Sequence, residues 1–363
     1  MNRLAVINVV GLTEALIGDQ TPNLTAFRRA GALARIAPAF PAVTCTAQSN
    51  YLTGTTPSHH GIVGNGWYNR DLAEIHFWKQ SNPLVQAPKI WETLRKQSAI
   101  DRRLPAVSVA NCFWWFNMYS SADYSLTPRP IYRADGGKIF DVYSWPYSIR
   151  TDIKNELGEF PFFGFWGPAA GIKTPQGSAD CASRWIADSA KWMETRFSPT
   201  LNLVYLPHLD YNLQRFGPYA KFDFTIGDRR PAAGNAPLNP AVLPDLQAID
   251  SIVGDLIRFF QSRGVRVVLL SEYGITNVDT PVHLNRVFRQ QGWLTVKDEL
   301  GLEILDAGAS RVFAVADHQV AHVYLNDPTL EKAVREQLEK IPGVERILGK
   351  AEKMALGLDH PRA

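Results

Sequence analysis

The chain has 363 residues, of which 45% are apolar and 20% charged, so it is long enough to bury one large hydrophobic core or two smaller ones. Its 38 basic and 35 acidic residues leave a formal charge of +3. This near balance argues against a broad electrostatic surface for nucleic acid or an anionic membrane, and it confines anion recognition to local sites. The composition is that of an ordinary soluble globular protein and leaves the oligomeric state open.

Three widely spaced cysteines, Cys45, Cys112 and Cys181, form neither a disulfide framework nor a metal knuckle. Reduced thiols are typical of a cytoplasmic protein, which is the location we expect. The apolar run over residues 4–12 is too short to span a membrane and lacks the basic region and cleavage site of a signal peptide. We expect it to be the first core strand, and no membrane association is expected.

Alternating strand and helix patterns predict an α/β fold with a doubly wound, mainly parallel sheet flanked by helices. Short β-branched runs that suit strands buried in such a sheet occur at residues 4–10, 32–43, 105–110, 201–206, 265–270 and 343–348. Amphipathic patterns with helix start and stop signals occur at residues 21–31, 182–195, 246–263 and from about 329 onward.

Residues 113–177 interrupt this alternation, because they are rich in aromatic residues, Pro and Gly and hold neither a helix nor a strand period. They are predicted to form an inserted cap on a core made of residues 1–112 and 178–363. Within the core, residues 281–310 are predicted to be a small second insertion. Residues 219–243 have the composition of a surface excursion.

A hydroxyl residue follows an apolar segment at Pro41-Ala42-Val43-Thr44, ahead of a Thr53-Gly54 turn and the sequence Pro57-Ser58-His59-His60-Gly61-Ile62. This pattern resembles the type I phosphodiesterase/nucleotide pyrophosphatase family of the alkaline phosphatase superfamily. The resemblance implies an alkaline phosphatase-like fold, phosphoester hydrolysis and Thr44 as the nucleophile. In that family two zinc ions activate the hydroxyl and stabilise the charge on the phosphoryl oxygens. The ordinary alternative is that Thr44 caps the following helix.

The metal ligands that the resemblance implies are mostly replaced in this chain. Val10 stands where the family has an aspartate at the end of the first strand. Asp210 keeps the next aspartate, but Gln214 occupies the position of the histidine four residues later. In the strand similar to the family's Ser-Asp-His-Gly-Met, Glu272 and Tyr273 replace Asp and His.

The last ligand that the resemblance implies is a late histidine, for which His318 and His322 are candidates. We prefer His318, because His322 opens an alternating apolar strand. A two-zinc centre is therefore not expected. At most one divalent ion, Mg²⁺, Mn²⁺ or Zn²⁺, is predicted with Asp210 and His318 as ligands, and a metal-free site is the open alternative. His208, which the family pattern lacks, is either a compensating ligand or a structural residue.

Several residues are predicted to bind substrate. Asn65 and Trp67 lie in a segment similar to the family's substrate-side loop, where aromatic rings stack on a base. Arg129 and Lys138 lie in a turn-rich stretch that suits a phosphate or carboxylate, although a solvated basic loop is equally open. The amide of Gln214 is a hydrogen-bond donor at the same site.

The sequence thus predicts a hydrolase of a phosphodiester or related phosphoester, with Thr44 as nucleophile and Glu272 or His318 as general base. Tyr273 is a further predicted catalytic group. One alternative is a catalytically silent relative that binds a small metabolite. The other is a metal-free enzyme of another reaction class that uses Tyr273, Glu272 and His318 as acids and bases. In each case the expected partner is a small anionic or phosphorylated metabolite.

Overall fold

A computed structural model describes residues 3–101, 106–132, 138–165, 170–175, 177–220 and 237–363, with the side chains of residues 130–132, 138 and 139 excepted. The chain divides into two compact units. The large unit comprises residues 1–38, 80–83 and 88–278, and the small unit comprises residues 39–79, 84–87 and 279–363.

Within the described ranges the strands are β1 Arg3–Val9, β2 Gly66–Asn69, β3 Glu74–Phe77, β4 Val109–Cys112, β5 Tyr124–Tyr132, β6 Lys138–Trp145, β7 Leu201–Leu206, β8 Val265–Leu270, β9 Val296–Glu299, β10 Leu302–Leu305, β11 Val312–Asp317 and β12 Val320–Leu325. The α-helices are α1 Pro22–Ala30, α2 Thr44–Thr53, α3 Pro57–His60, α4 Ile90–Ile100, α5 Ser148–Leu157, α6 Cys181–Phe197, α7 His208–Phe216, α8 Leu243–Ser262, α9 Leu284–Gln290, α10 Glu331–Leu338 and α11 Lys350–Ala355.

The large unit is built on a six-stranded sheet in the order β6-β5-β4-β7-β1-β8. All neighbouring pairs are parallel except β5 with β6. Helix α6 packs on β4 and β7, and α8 packs on β8. The predicted mainly parallel α/β sheet is confirmed. Because β7 and β8 flank β1, the residues that follow these three strands emerge at the same edge of the sheet.

The segment predicted as a cap contributes to this sheet, since it contains β5, β6 and α5. The expectation that no strand period holds between residues 113 and 177 is therefore wrong. Pro128 and Pro130 disguise β5 in the sequence. Beyond Leu126 the strand pairs only with β6, so the two prolines remove no hydrogen bond to β4. The proposed division into a core and two insertions stays a prediction.

Two other predicted strands are absent from the described residues. The predicted return strand at 32–43 is wrong, since residues 31–38 are exposed and irregular and α2 begins at Thr44. The predicted strand at 343–348 is also wrong, because the chain between α10 and α11 is irregular there. Its apolar residues pack individually, as Ile347 does against the cluster that contains Phe288. Most of the predicted excursion at 219–243 lies outside the described residues.

In the small unit, the antiparallel pairs β2–β3, β9–β10 and β11–β12 support two apolar clusters. In one of them the ring of Tyr68 lies edge-on to Phe313 and Tyr324, with centroids 5.0 and 5.4 Å apart. Such edge-to-face contacts are a favourable geometry for buried aromatic rings. Among all the described helices, none is long and apolar enough to cross a membrane.

Candidate active site

Three predicted site residues meet in the large unit. Asp210 lies in the first turn of α7, immediately after β7, and Gln214 lies one turn later on the same face. Gln214 Nε2 donates to Asp210 Oδ2 at 2.7 Å, and the hydroxyl of Tyr273, which follows β8, donates to Asp210 Oδ1 at 3.1 Å. Each oxygen of the carboxylate therefore accepts a hydrogen bond from a neutral side chain.

Glu272 is 2% exposed, and its Oε1 accepts a 2.6 Å hydrogen bond from Asn8 Nδ2. Asn8 lies in β1 opposite Leu270 of β8, so neighbouring strands bring the two side chains together. Asn8 was not among the predicted site residues. The available signal was a single polar residue inside the otherwise apolar run of β1.

Val10 directly follows β1 and is 1% exposed, and its N–H donates to Leu206 O at 3.2 Å. Gly11 then adopts a φ of +81°, which favours glycine. A Cβ at Gly11 would lie 2.9 Å from Leu213 Cδ1. The turn after β1 is thus tightly packed and presents an apolar side chain at the position where a carboxylate ligand was implied.

The donor set of the large unit does not fit a two-zinc centre. Zinc in proteins prefers thiolate, imidazole and carboxylate ligands. Here Val10 offers no donor atom, and the side chains at the two histidine positions, Gln214 and Tyr273, direct hydrogens to Asp210. In neither unit do the described residues contain a group of three or more His, Cys, Asp or Glu side chains arranged for a metal ion.

His208 lies on a different side of α7. It is fully buried, and its Nε2 lies 3.2 Å from the carbonyl oxygen of Asp245. Burial lowers the pKa of its imidazole to about 4. One turn further, Asn212 Nδ2 donates to Asp245 Oδ2 at 2.6 Å. These contacts anchor α7 to the start of α8 and favour the structural role for His208.

Thr44 is the first residue of α2 in the small unit and is 3% exposed. The N-cap is Val43, so the alternative interpretation of Thr44 as the helix cap is wrong. Valine has no side-chain acceptor for the free N–H groups of the first turn. Asn65 supplies one instead, because its Oδ1 accepts from the N–H of Cys45 at 3.0 Å.

Asn65 is itself held by Asp317 at the end of β11. Asp317 Oδ2 accepts from the backbone N–H of Asn65 at 2.7 Å, and Oδ1 accepts from Asn65 Nδ2 at 3.0 Å. Both residues are buried. Asp317 was not among the predicted site residues, although its position directly before the candidate His318 was a signal.

His318 has a φ of +59°, and its side chain is 41% exposed. Its Nε2 lies 3.9 Å from Asp317 Oδ1. His322 is buried instead, with Nε2 2.9 Å from the carbonyl oxygen of Val63, and burial lowers the pKa of its imidazole. His318 is thus exposed and His322 buried, and the preference for His318 as the site histidine stays a prediction.

The other residues predicted to bind substrate are Trp67, Arg129 and Lys138. Trp67 is 6% exposed, and the guanidinium carbon of Arg362 lies 4.9 Å from the centroid of its ring. One face of the ring is therefore occupied by the chain itself. Arg129 is exposed on β5, opposite Asp141 of β6. The side chain of Lys138 lies outside the described residues.

Solved structures with a similar fold include phosphonoacetate hydrolase from Sinorhizobium meliloti 1021 in complex with phosphonoacetate. The TM-score is 0.61 at 16% identity, over 99% of this chain and 79% of that one. Murine ectonucleotide pyrophosphatase/phosphodiesterase 5, an inactive variant in complex with AMP, has a TM-score of 0.55 at 14% identity, over 94% of this chain and 71% of that one. At these identities the likeness shows the fold.

A comparison with curated protein sequences finds no significant match. Family comparison does find one, because residues 4–357 match the family described as type I phosphodiesterase/nucleotide pyrophosphatase. The match spans nearly the whole chain and agrees with the resemblance of the Thr44 motif. The protein therefore belongs to the type I phosphodiesterase/nucleotide pyrophosphatase family, a family of phosphoester hydrolases.

Proposed function

We propose that the protein hydrolyses a phosphodiester or a related phosphoester with Thr44 as the nucleophile, in a site without the family's two zinc ions. Family membership supports the class of reaction. One observation carries the second part of the proposal: Gln214 and Tyr273, at the positions of two implied histidine ligands, both donate to Asp210. Two neutral side chains thus donate to the Asp210 carboxylate from positions where the resemblance implies imidazole ligands.

A metal ion at Asp210 competes with these two hydrogen bonds. Hydrogen bonds to a charged group contribute about 1.5–3 kcal/mol each, so displacing both is costly. The proposed site accordingly holds at most one divalent ion, Mg²⁺, Mn²⁺ or Zn²⁺. The preferred substrate is a small anionic or phosphorylated metabolite.

In the proposed reaction, Thr44 Oγ bonds to phosphorus while the ester oxygen leaves, and water then hydrolyses the phosphothreonine. Because Thr44 is the first residue of α2, the positive end of the helix dipole favours a developing anion beside it. His318, whose side chain is 41% exposed, is the proposed general base and takes the proton of the Thr44 hydroxyl. Glu272 as an alternative base and Tyr273 as a catalytic group stay predictions.

The test combines metal analysis of the purified protein with turnover of bis-p-nitrophenyl phosphate in the presence of each divalent ion. We expect turnover in the wild type, loss of it in Thr44→Ala, and partial retention in Thr44→Ser. Thr46→Val is the matched control, because the Thr46 hydroxyl on the same helix donates to Ile62 O at 3.1 Å. Equal turnover in wild type and Thr44→Ala contradicts Thr44 as nucleophile. Two tightly bound zinc ions per chain contradict the metal-depleted site.

The second candidate function is that of a catalytically silent relative that binds a small anionic metabolite. The same Asp210 network favours it, because Gln214 and Tyr273 supply no group that activates a hydroxyl. AMP and phosphonoacetate, which occur in complexes of two structurally similar proteins, are suitable probes for calorimetry. Binding that Thr44→Ala weakens, without turnover of any ester tested, favours this second function over hydrolysis.

A further inference from the structure

Helix α2, which carries Thr44, has no cap of its own. Its N-cap residue, Val43, makes no side-chain hydrogen bond to the first turn. The N–H of Cys45 is satisfied instead by Asn65 Oδ1 at 3.0 Å, from a residue 20 positions further along the chain. The Asn65 amide thus holds one N–H group of the first turn that carries Thr44.

Asp317 determines which way that amide faces. Its two carboxylate oxygens accept from the backbone N–H and the Nδ2 of the same residue, at 2.7 and 3.0 Å. A carboxylate accepts hydrogen bonds and donates none. Asn65 must therefore turn its nitrogen towards Asp317, and its oxygen is left facing the N–H of Cys45.

The Asp317 carboxylate and the Asn65 amide are both buried, which restricts the movement of either side chain. Asp317 is 6% exposed and Asn65 is 2% exposed. The hydrogen bonds made to this carboxylate within the described part of the chain both come from Asn65. A Cβ at Gly64 would lie 3.0 Å from Asp317 Oδ2, so glycine permits the close approach. Buried polar contacts of this kind are strong only when they are complete.

We propose that Asp317 is a positioning residue, which acts through Asn65 on the first turn of α2 and thereby sets the orientation of Thr44. The inference deepens the proposed function, since it rests on Thr44 as the reacting group. Asp317 itself touches neither Thr44 nor substrate in this scheme. The proposed effect passes through the two hydrogen bonds from Asn65 to Asp317 and the one from Cys45 to Asn65, and it is separate from the 3.9 Å approach of His318 Nε2 to Asp317 Oδ1.

The first test is Asp317→Asn. This substitution keeps the shape of the side chain but replaces one of the two accepting oxygens that face Asn65 with an NH₂ donor. Hydrogen exchange of the backbone amides of α2, followed by mass spectrometry, reports the cap directly. We expect exchange at residues 44–53 to rise roughly fivefold, which corresponds to about 1 kcal/mol, the usual contribution of a cap. Unchanged exchange there overturns the proposal.

Asp327→Asn is the matched control. Asp327 is another carboxylate of the small unit, and it caps a short 3₁₀ helix by accepting from Thr329 N at 3.0 Å. Its loss is expected to leave exchange in α2 unchanged. An equal rise in α2 for both variants indicates general loosening of the unit and contradicts a specific role for Asp317.

A rescue variant separates polarity from packing. In the double variant Asp317→Asn with Asn65→Asp, the amide at 317 donates to the carboxylate at 65, whose other oxygen accepts from the N–H of Cys45. All three hydrogen bonds are thereby restored with the polarity of the pair reversed. We expect α2 exchange within about twofold of the wild type, whereas exchange as fast as in Asp317→Asn overturns the inference.

Kinetics add a second readout. If the wild type turns over a phosphodiester, Asp317→Asn is expected to lower kcat at least tenfold with KM changed less than threefold, because orientation of the nucleophile affects the chemical step. A change confined to KM contradicts the positioning role, as does a shifted pH dependence of kcat, which would indicate an effect through the neighbouring His318 instead. If the wild type shows no turnover, the proposed function fails, while the exchange experiment still decides the role of Asp317.

Discussion

Lys89, immediately before α4 in the large unit, is an unusual buried cation. Its side chain is 2% exposed, its Nζ donates to Asn82 Oδ1, and it lies 5.7 Å from the centroid of the Trp91 ring. Burial lowers the pKa of its amine from 10.5 to about 8, partly offset by the charge of Glu92. We predict that Lys89→Met stabilises the protein at neutral pH.

The magnitude follows from this shift in pKa. A difference of about 2.5 pH units between the unfolded and folded states corresponds to roughly 3 kcal/mol. Below pH 8 both states are protonated and the folded state carries this full cost. Between about pH 8 and 10.5 the folded state loses its proton first, so stability rises with pH. Loss of the bond to Asn82 costs about 1 kcal/mol, which leaves a net gain of about 2 kcal/mol for Lys89→Met at pH 7.

The assay is urea unfolding of wild type and variant at several pH values, followed by tryptophan fluorescence. The stability difference between Lys89→Met and wild type is expected to fall by about 3 kcal/mol as the pH approaches 10.5, from about 2 kcal/mol in favour of the variant to about 1 kcal/mol in favour of the wild type, because the wild type gains stability over this range. Lys96→Met removes the same charge from an exposed position on α4 and is the control. A difference between wild type and Lys89→Met that does not vary with pH refutes the reasoning.

Three further predictions concern other positions. His60 is fully buried, and its pKa is lowered to about 4 by burial and the charges of His360 and His59. Because the unfolded chain is protonated first, stability is lost as the pH falls from 6.5 towards 4. In urea unfolding at several pH values, His60→Gln should lose less stability over this range than the wild type. Gly11→Ala, at a φ of +81°, is expected to cost about 1–2 kcal/mol in urea unfolding, whereas Gly18→Ala, with open space around its Cβ, should cost under 1 kcal/mol. Tyr273→His is expected to retain more zinc after dialysis than Tyr273→Phe, because only the imidazole adds a metal ligand beside the carboxylate of Asp210. Equal zinc retention by the two variants contradicts this prediction.

Long, strongly patterned elements were predictable. Strands β1, β7 and β8 and helices α6 and α8 lie within a few residues of their predicted bounds, because each has a clear apolar period. The hairpin of β5 and β6 was missed, because prolines in β5 mask its strand character. The return strand at 32–43 was predicted from an apolar run whose first part, up to residue 38, the structure leaves exposed. The conformation of a short apolar segment depends on the residues that pack against it in the folded protein. The local sequence pattern carries no information about those residues.

At the candidate site, too, some features were predictable from the sequence and others were not. Residue identity at a motif position is local information, so Val10, Gln214 and Tyr273 were recognised as replacements of metal ligands from the sequence. Their new role was not, since nothing local indicates that Gln214 and Tyr273 both donate to Asp210.

The sequence by itself determined the family, the order of the main strands and which residues stand at the implied ligand positions, because each depends on residues close together in the chain. Only the tertiary structure decided what the residues at those positions contact and what holds the first turn of α2. Asn8 meets Glu272 from 264 positions away, and Asn65 meets Asp317 from 252 positions away. Such pairs are selected by packing of strands and loops distant in sequence, and their buried hydrogen bonds exist only once that packing has formed.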